Sequence, residues 1–408
     1  MRRLQSFYPI VIAIFLIVVF GGLFWANLRY TRNQKGGTDF SIYWTSARTL
    51  LYDDATPYGE LASLKSQNLI YGLAGQEGEP PSRLDLPFHV ETLLLPLGFV
   101  SDFQTARATW MTLLEISLII SVFLSLRSLN WIPIPMVGAA LFLFAIFSVN
   151  GLWALIQGNA VILSVLLLTG ALLALRENQD ELAGILLALA TFKFLTVGFY
   201  LVFILFWAVF QRRRRIFFPF IMTLVIFIVI SFFFFSNWFL PYFRAIYANL
   251  KFGDWLTPGL IFKDALPFVG EKLGWVLSGF LAIVLLSEWW MARKMEFQRM
   301  IWAASLTLAI TPMLGLPTYP QNYIVLLIPL IFCLSIISDR WNKSAPMVIS
   351  GILVSLFIGL WLIAIYAINK TTAFFFPLPV FVICLLYWVR WWAIVAPRNK
   401  PESIITPL

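Results

Sequence analysis

A single acidic residue stands just beyond the first apolar run of the chain. Asp39 follows Gly36 and Gly37 and precedes several aromatic residues in the stretch GGTDFSIYW. A carboxylate there could accept a proton from a hydroxyl group, and the positive end of a helix dipole would keep it ionised. Two glycines followed by Thr38 and Asp39 are also typical of a helix N-cap. The stretch therefore predicts a helix start that carries a general base, a helix cap, or both.

One lysine lies inside an apolar stretch. Lys193 is the last charged residue of ELAGILLALATFKF, between Phe192 and Phe194. An unpaired ammonium group within a membrane is costly unless a partner satisfies it. Two interpretations stay open: contact with an anionic group such as a phosphate, or a structural ion pair with an intramembrane acid such as Glu115.

Amide side chains recur at two further places. Gln157 and Asn159 stand near the end of an apolar run, and Tyr319 and Gln321 lie in the proline-rich loop PTYPQNY. Buried amides need hydrogen-bond partners, which a sugar or a phosphate could supply. The alternatives are interhelical hydrogen bonds for the amides and an interfacial aromatic belt for the tyrosine.

Three residues are candidates for contact with the molecule whose hydroxyl group would give its proton to Asp39. Tyr43 and Trp44 follow Asp39 by about one helical turn and would line the approach of that molecule. His89 is the single histidine, in the segment LDLPFHVETLLLPLGF, where a polar interfacial role is expected rather than catalysis.

The residue types that hold metals and phosphates are sparse. With a single histidine, a zinc site is excluded. The adjacent Asp53 and Asp54 could bind a divalent ion or simply be solvated. The chain has no Asp-x-Asp pair and no glycine-rich phosphate loop, while Cys333 and Cys384 sit in apolar runs as core residues. We therefore predict no metal site and no cofactor.

Composition identifies the solvent of this chain. Of its 408 residues, 60% are hydrophobic and 12% are charged, with a formal net charge of +9. No water-soluble domain buries so much apolar surface, so the chain is predicted to span a membrane. Its basic excess then marks cytoplasmic loops rather than nucleic-acid binding.

Apolar runs and basic residues together predict a topology. The run 7–26 is expected to be a retained first span that starts in the cytoplasm. Further alternation gives about ten full spans, with an outer turn at Asn150-Gly151 and a re-entrant hairpin over 182–210 that turns near Lys193. A second insertion from the outer side is expected over 84–100. Both chain ends are predicted to be cytoplasmic in the cell membrane.

The predicted fold is all-α and forms one domain over 1–408. Two extracytoplasmic loops are expected, over 27–107, which carries Asp39, and over 237–274. In the first loop, Ile42, Trp44 and Ala47 follow helical spacing, which predicts an amphipathic helix on the membrane surface.

An ordered set of motifs resembles the GT-C superfamily of polytopic glycosyltransferases. It is most similar to glycosyltransferase family 87, the bacterial mannosyltransferases that depend on polyprenyl-phosphate-mannose. The motifs are TDFSIYWTSARTLLYDDATPYG, LPFHVETLLLPLGF, LIQGNAVILSVLLLTGALLAL, ELAGILLALATFKF and TPMLGLPTYPQNYIVLLIPL. The resemblance implies a GT-C-like bundle and transfer of a hexose from a polyprenyl monophosphate sugar to a glycolipid or glycan at the outer face.

The resemblance also implies roles for residues. Asp39 falls at the position of the catalytic base, and Lys193 falls where a contact to the donor phosphate is expected. A good phosphate leaving group needs charge stabilisation more than protonation, so one carboxylate suffices for a single, inverting displacement. Gln157, Asn159, Tyr319 and Gln321 would then shape the donor site.

Two other functions compete with this interpretation. A surface-polysaccharide polymerase or ligase would place its working residues in the later outer loop, where Arg244, Lys251 and Lys263 occur. A transporter or flippase of lipid-linked sugars would favour charges near the midplane and broken helices in both halves.

Overall fold

The computed structural model describes residues 8–72, 83–252, 255–367 and 371–394. Within these ranges the regular structure is helical, and the one β contact is a bridge between Leu256 and Thr318. The prediction of an all-helical membrane protein is confirmed. Apolar helices suit this environment because every backbone group inside a helix finds its partner within the same segment.

Nine α-helices form the first half of the described residues. They are α1 (Tyr8–Asn33), α2 (Thr38–Tyr52), α3 (Glu60–Tyr71), α4 (Phe88–Gly98), α5 (Phe103–Ser128), α6 (Pro135–Phe147), α7 (Val149–Gln157), α8 (Val161–Arg176) and α9 (Asp180–Ala190).

Nine further α-helices follow in the described residues. They are α10 (Phe194–Phe210), α11 (Phe217–Phe234), α12 (Phe239–Phe252), α13 (Pro258–Ala265), α14 (Gly270–Ala292), α15 (Phe297–Ile310), α16 (Leu327–Trp341), α17 (Ala345–Tyr366) and α18 (Pro377–Ile394).

Fewer spans are found than the sequence predicted. Six helical segments of the described ranges are long and apolar enough to cross a membrane, or seven if α6 and α7, bent by 48°, form one span. About ten spans are therefore not shown. Several apolar helices are short: α15 has 14 residues and α8 has 16, below the ~20 that a straight span needs.

One end of the helix bundle is tied together by basic residues, and we call it the basic end. Arg176, at the end of α8, donates a hydrogen bond of 2.7 Å to the carbonyl oxygen of Ser128, at the end of α5. Arg213 donates to the carbonyl oxygen of Leu175 at 3.0 Å and pairs with Asp180. These bonds satisfy carbonyl groups that helix ends leave without partners.

The same contacts define the path of α9 and α10. Because Arg213 follows α10 and contacts Asp180 at the start of α9, the chain leaves the basic end and returns to it. The 3₁₀ turn Thr191–Lys193 separates the two helices, so Lys193 lies at the tip of this excursion.

Two local predictions for this region of the fold are wrong. Asn150 and Gly151 do not form a turn, because they lie within α7; the chain turns instead after Gln157, where Gly158 adopts a left-handed conformation (φ 73°). The helix of the first loop, α2, is not a surface amphipathic helix. Nine of its residues, from Phe40 to Thr49, are buried.

A polar but buried helix is possible here because the hydroxyl groups find partners. Ser41 Oγ donates to the carbonyl oxygen of Thr38 at 2.8 Å, and Thr45 Oγ1 donates to that of Ser41 at 2.8 Å. Ser46 Oγ donates to the carbonyl oxygen of Pro57 at 3.0 Å. Small hydroxyl side chains that bond to backbone can be buried at little cost, so α2 sits inside the protein between α3, α4 and α5.

Candidate active site

The start of α2 is anchored by a buried arginine. Arg107 of α5 is fully buried; its Nη1 donates to the carbonyl oxygen of Gln34 at 2.9 Å and its Nη2 to that of Ile156 at 3.1 Å. Gly36 and Gly37, both at positive φ, lie directly against the guanidinium, where a Cβ atom would come within 2.6 and 2.8 Å of it. The sequence analysis missed Arg107, which joins the end of α1, the start of α2 and the end of α7.

Asp39 is the second residue of α2 and does not cap it. The cap position belongs to Gly37, in the left-handed conformation, and no side chain bonds to the first turn. The N-cap interpretation of Asp39 is therefore wrong. Its side chain is half-buried, and atom Oδ2 is buried with no hydrogen-bond partner among the described residues. The carboxylate still lies in the first turn, where the helix dipole favours negative charge.

Lys193, at the tip between α9 and α10, contacts Asp85 and Tyr43 of α2. Its Nζ donates to Asp85 Oδ2 at 2.7 Å and to the Tyr43 hydroxyl at 3.3 Å, and its side chain is 11% exposed. Glu115, the partner considered from the sequence, instead accepts a hydrogen bond from Asn27. Asp85 was missed, although an acid in the apolar, proline-bounded segment RLDLPF is itself a signal that a buried cation lies nearby.

The amide residues bring the end of α7 and the loop 317–323 together. Gln321 Nε2 donates to Gln157 Oε1 at 3.0 Å, and Asn159 Nδ2 donates to Asn322 Oδ1 at 3.3 Å. Asn150 Nδ2 donates to the carbonyl oxygen of Pro320 at 2.7 Å. Gln157, Asn159 and Gln321 thus meet, as the sequence suggested they would if they shared a site.

The charges and amides that act on Asp39 show that these groups lie close together, and we call the place where they meet the Asp39 cleft. Burial raises the pKa of Asp39 to about 6. Lys193 and hydrogen bonding from Asn159 and Gln321 lower this pKa in part, and Asp85 raises it. At neutral pH the carboxylate is therefore mostly ionised, yet it is more basic than an ordinary aspartate, as a general base requires.

Close packing fixes the turn at Gly158 against the start of α2. A Cβ atom on Gly158 would lie 2.6 Å from the Cβ of Phe40. Trp110 Nε1 donates to the carbonyl oxygen of Gly158 at 2.8 Å, and the Trp110 ring stacks on Phe40. Glycine is required here both for its conformation and for this approach, which sets the position of Asn159 relative to Asp39.

The loop 317–323 is held by the segment that precedes α13. Leu256 and Thr318 exchange backbone hydrogen bonds of 3.1 and 3.3 Å, and the rings of Trp255 and Tyr319 lie 4.6 Å apart. Tyr319 therefore packs on Trp255. A narrow crevice, with a volume of about 10 Å³, runs between this loop and the start of α10. It is lined by Leu195, Thr196, Thr311, Thr318, Asn322 and Tyr323.

A second cavity, of about 230 Å³, lies between α13 and α14. Lys263, Glu271, Trp275 and Gly315 line it. It contains none of the residues of the Asp39 cleft, and no carboxylate in it is buried against a lysine: Lys263 and Glu271 are 3.9 Å apart and mostly exposed. The Asp39 cleft is therefore the candidate site for the chemistry.

Two of the sequence-predicted acceptor residues lie against other partners. Trp44 Nε1 donates to the carbonyl oxygen of Val100 at 3.2 Å, and its ring packs on Phe103. The His89 ring stacks on Phe227 with centroids 4.7 Å apart, and its two buried nitrogens have no partner among the described residues. Burial lowers the pKa of His89 to about 4, so this side chain is neutral at physiological pH. Tyr43, by contrast, lies in the cleft.

Metal ligands are not grouped in the described ranges: no three His, Cys, Asp or Glu side chains come close enough there to hold an ion. The cleft instead gathers one lysine, two aspartates and several amides. These groups suit proton transfer and the binding of a charged, hydroxyl-rich molecule.

The described residues form an apolar helix bundle with six or seven candidate membrane spans, and polar groups converge at one point of it. Residues 87–260 match the family model of glycosyltransferase family 87. The resemblance indicated by the motifs is confirmed over these residues, which make up less than half of the chain. The match includes Gln157, Asn159 and Lys193, whereas Asp39, Asp85 and the loop 317–323 lie outside it. No curated protein matches the chain.

Proposed function

We propose that the protein transfers a hexose from a polyprenyl monophosphate sugar to a hydroxyl group of a glycolipid or glycan. Mannose is the sugar that the resemblance to family 87 implies. The polyprenyl chain keeps the donor in the membrane, which suits an enzyme whose polar cleft is enclosed by apolar helices. The match of residues 87–260 to family 87 supports a lipid-linked donor, and the cleft supports the division of roles given next.

In the proposed reaction, Asp39 accepts the proton of the acceptor hydroxyl as its oxygen attacks the anomeric carbon. The bond from that carbon to the phosphate oxygen breaks, and the polyprenyl phosphate leaves with the electron pair. Lys193 stabilises the charge that develops on the phosphate. One displacement of this kind inverts the anomeric centre and needs no second carboxylate nucleophile.

The remaining cleft residues are proposed to hold the donor. Gln157, Asn159 and Gln321 present amides beside Asp39, and Tyr319 of the loop 317–323 packs on Trp255. Tyr43 accepts a hydrogen bond from Lys193. We propose Tyr43 for the approach of the acceptor, whereas Trp44 and His89 pack on Phe103 and Phe227.

The proposed orientation places the cleft at the extracytoplasmic face. Arg127, Arg176 and Arg213 cluster at the basic end, which the chain reaches by helices that run away from the cleft. Basic residues accumulate on the cytoplasmic side of membrane proteins. Both chain ends would then be cytoplasmic.

The observation that carries this proposal is the buried, unpartnered Oδ2 of Asp39 beside Lys193, Asn159 and Gln321. A buried carboxylate oxygen without a hydrogen bond is costly, and such groups concentrate at functional sites.

The test is sugar transfer by purified protein in lipid nanodiscs, with radiolabelled polyprenyl-phosphate-mannose and a membrane-lipid acceptor extract. Asp39→Asn should lose at least about a hundredfold in rate, the lower range for a general base, while donor binding is retained. Asp54→Asn is the matched control, because it removes the same charge from an exposed site just beyond α2. Normal transfer by Asp39→Asn would refute the assignment of the base.

A further inference from the structure

The ammonium group of Lys193 has two aspartates near it but pairs with only one. Its ion pair is with Asp85 Oδ2, at 2.7 Å, and a second proton is donated to Tyr43. No ion pair joins Lys193 to Asp39 among the described residues, although its charge acts on the Asp39 carboxyl. One of the three ammonium protons has no acceptor among the described residues.

Hydrogen bonds to the backbone of Arg83 and Leu86 fix the chain on both sides of Asp85. Two residues before it, the N–H of Arg83 donates to Asn249 Oδ1 at 3.0 Å, and Asn249 Nδ2 donates to the Arg83 carbonyl oxygen at 2.8 Å. One residue after it, the carbonyl oxygen of Leu86 accepts a hydrogen bond of 3.0 Å from the Tyr58 hydroxyl. The Asp85 carboxylate is therefore presented to Lys193 by a fixed segment rather than by a loose loop.

We propose that Asp85 is a positioning residue, whose ion pair holds Lys193 away from Asp39 so that the Asp39 carboxylate remains free to accept a proton. The inference rests on the proposed function, because it assigns Asp39 the role of base. Asp85 touches neither reacting atom in this proposal; it acts through Lys193.

The physical reason is that a paired carboxylate is a poor base. If Lys193 closed onto Asp39, the ammonium would stabilise the ionised form and bring its pKa well below the ordinary range. The titratable groups that face Asp39 are Lys193 from the tip between α9 and α10, Tyr43 from α2, and Asp85. Arg107 contacts the glycines before α2, but its charge is directed to carbonyl oxygens of the neighbouring segments.

The pair also prepares Lys193 for the donor. A lysine already extended and held by Asp85 and Tyr43 needs no reorganisation when a phosphate arrives at its remaining proton. Asp85 is 38% exposed in its side chain, so it can be rehydrated as the phosphate takes a larger share of the ammonium charge.

The direct test measures the protonation of Asp39 without turnover. Infrared difference spectra recorded across pH would follow the absorption band of the protonated Asp39 carboxyl group, which is the band that Asp39→Asn removes. In the wild type the midpoint of this titration should lie at about pH 6. In Asp85→Asn the midpoint should fall by about one pH unit or more. An unchanged or higher midpoint in a folded Asp85→Asn protein would overturn the inference.

A double-mutant cycle separates action through Lys193 from the direct effect of the Asp85 charge. In a Lys193→Gln background, Asp85→Asn should move the midpoint much less than it does in the wild type, because no cation is left to relocate. Equal shifts in both backgrounds would show that Asp85 acts by its own field alone and would reject the positioning role.

Transfer assays give the matching kinetic result. Asp85→Asn should shift the acidic limb of the kcat profile to lower pH and reduce its plateau about threefold to tenfold, as expected for a weaker base. Asp85→Glu should restore much of the rate. Should Asp85→Asn fail to fold, Asn249→Ala releases the clamp on Arg83 without changing charge and should shift the midpoint in the same direction.

These outcomes keep the two proposals apart. A midpoint that falls in Asp85→Asn, and falls much less in the Lys193→Gln background, supports the positioning role even if Asp39→Asn still transfers sugar, in which case only the assignment of the base fails. If Asp39→Asn is inactive and the midpoint does not move, the base stands and the role of Asp85 is rejected.

Discussion

Gln321 donates a hydrogen bond of 3.0 Å to Oε1 of Gln157, and the same side chain also stabilises the ionised form of Asp39 by hydrogen bonding. The two glutamines are 164 residues apart in the chain. Their contact fixes the loop 317–323 to the end of α7 beside the proposed base. Gln321 therefore links the shape of the cleft to the proton affinity of the group at its centre.

Removing the Gln321 amide should make Asp39 harder to ionise. Gln321→Leu takes away a hydrogen bond that lowers the pKa of Asp39, so the acidic limb of the transfer profile should move from about pH 6 to higher pH. The shift is opposite in sign to that expected for Asp85→Asn. The measurement is kcat as a function of pH at saturating donor. Gln34→Leu is the control, because the Gln34 side chain is exposed beyond α1, and it should leave the acidic limb of the kcat profile unchanged. An acidic limb that does not move in Gln321→Leu would contradict the prediction.

Asp39→Asn should stabilise the fold at neutral pH while it abolishes transfer. The carboxyl has a pKa of about 6 in the folded protein and 3.8 ordinarily, so folding favours its protonated form. This contribution to stability is present below about pH 4 and is lost as pH rises through about 6. Asparagine resembles the protonated form at every pH. Allowing for partial solvent screening, we expect a gain of about 1–2 kcal/mol at pH 7.5.

Thermal unfolding in detergent at two pH values checks this gain. The difference between Asp39→Asn and the wild type should be clear at pH 7.5 and should vanish near pH 4. Asp54→Asn should show no such dependence. A variant less stable than the wild type at pH 7.5 would mean that the Asp39 carboxylate is stabilised by its neighbours rather than strained by burial.

Gly158→Ala should disrupt the cleft through two separable effects. The φ of Gly158 is 73°, which costs an alanine about 1–2 kcal/mol, and the new Cβ would also lie 2.6 Å from the Cβ of Phe40. Gly72 has nearly the same φ, 76°, but nothing within 4 Å of its Cβ position. Gly72→Ala therefore measures the conformational cost alone.

The comparison of the two glycine variants has a defined outcome. Gly158→Ala should lower the unfolding temperature more than Gly72→Ala does, and only Gly158→Ala should reduce transfer, because the turn carries Asn159 towards Asp39. If both variants lose the same stability and both transfer sugar normally, the turn at Gly158 can shift to accept the new Cβ atom. Its packing against Phe40 would then not position the residues of the cleft.

Several residues of the cleft could be found from the sequence because their local setting was unusual. Asp39 and Lys193 are charged groups in apolar surroundings, and Gln157, Asn159 and Gln321 are amides in or beside apolar runs. Asp85 was overlooked because its importance depends on a partner 108 residues away. Arg107 appeared as an ordinary basic residue near a helix start; only the fold shows that two glycines make room for it.

The errors in the predicted fold have a similar origin. The polar residues of α2 suggested a water-facing side, but Ser41, Thr45 and Ser46 satisfy their hydroxyls on backbone carbonyls and are buried. Asn150 resembled a turn residue, but its amide bonds to the loop 317–323 from inside α7. In both cases a polar side chain found a partner inside the protein, which hydropathy alone does not reveal.

The basic end contains a buried ion cluster that should govern stability without touching the chemistry. Glu288 of α14, 5% exposed in its side chain, accepts hydrogen bonds from Arg299 of α15 at 2.9 Å and from Arg390 of α18 at 2.7 Å. Glu288→Gln leaves the buried Arg299 and the partly exposed Arg390 without a counter-ion. Breaking such a cluster costs about 3–5 kcal/mol, because uncompensated charge remains buried.

Glu271 of the same helix offers the matched control. It lies 3.9 Å from Lys263, and both side chains are mostly exposed, so Glu271→Gln should cost less than about 1 kcal/mol. Thermal unfolding in detergent should therefore separate the two variants by many degrees. The folded fraction of Glu288→Gln should keep the wild-type KM for donor and the wild-type acidic limb, since Asp39 lies at the other end of the helices. A changed pH profile in Glu288→Gln would show instead that the cluster and the cleft are coupled through α14 and α15.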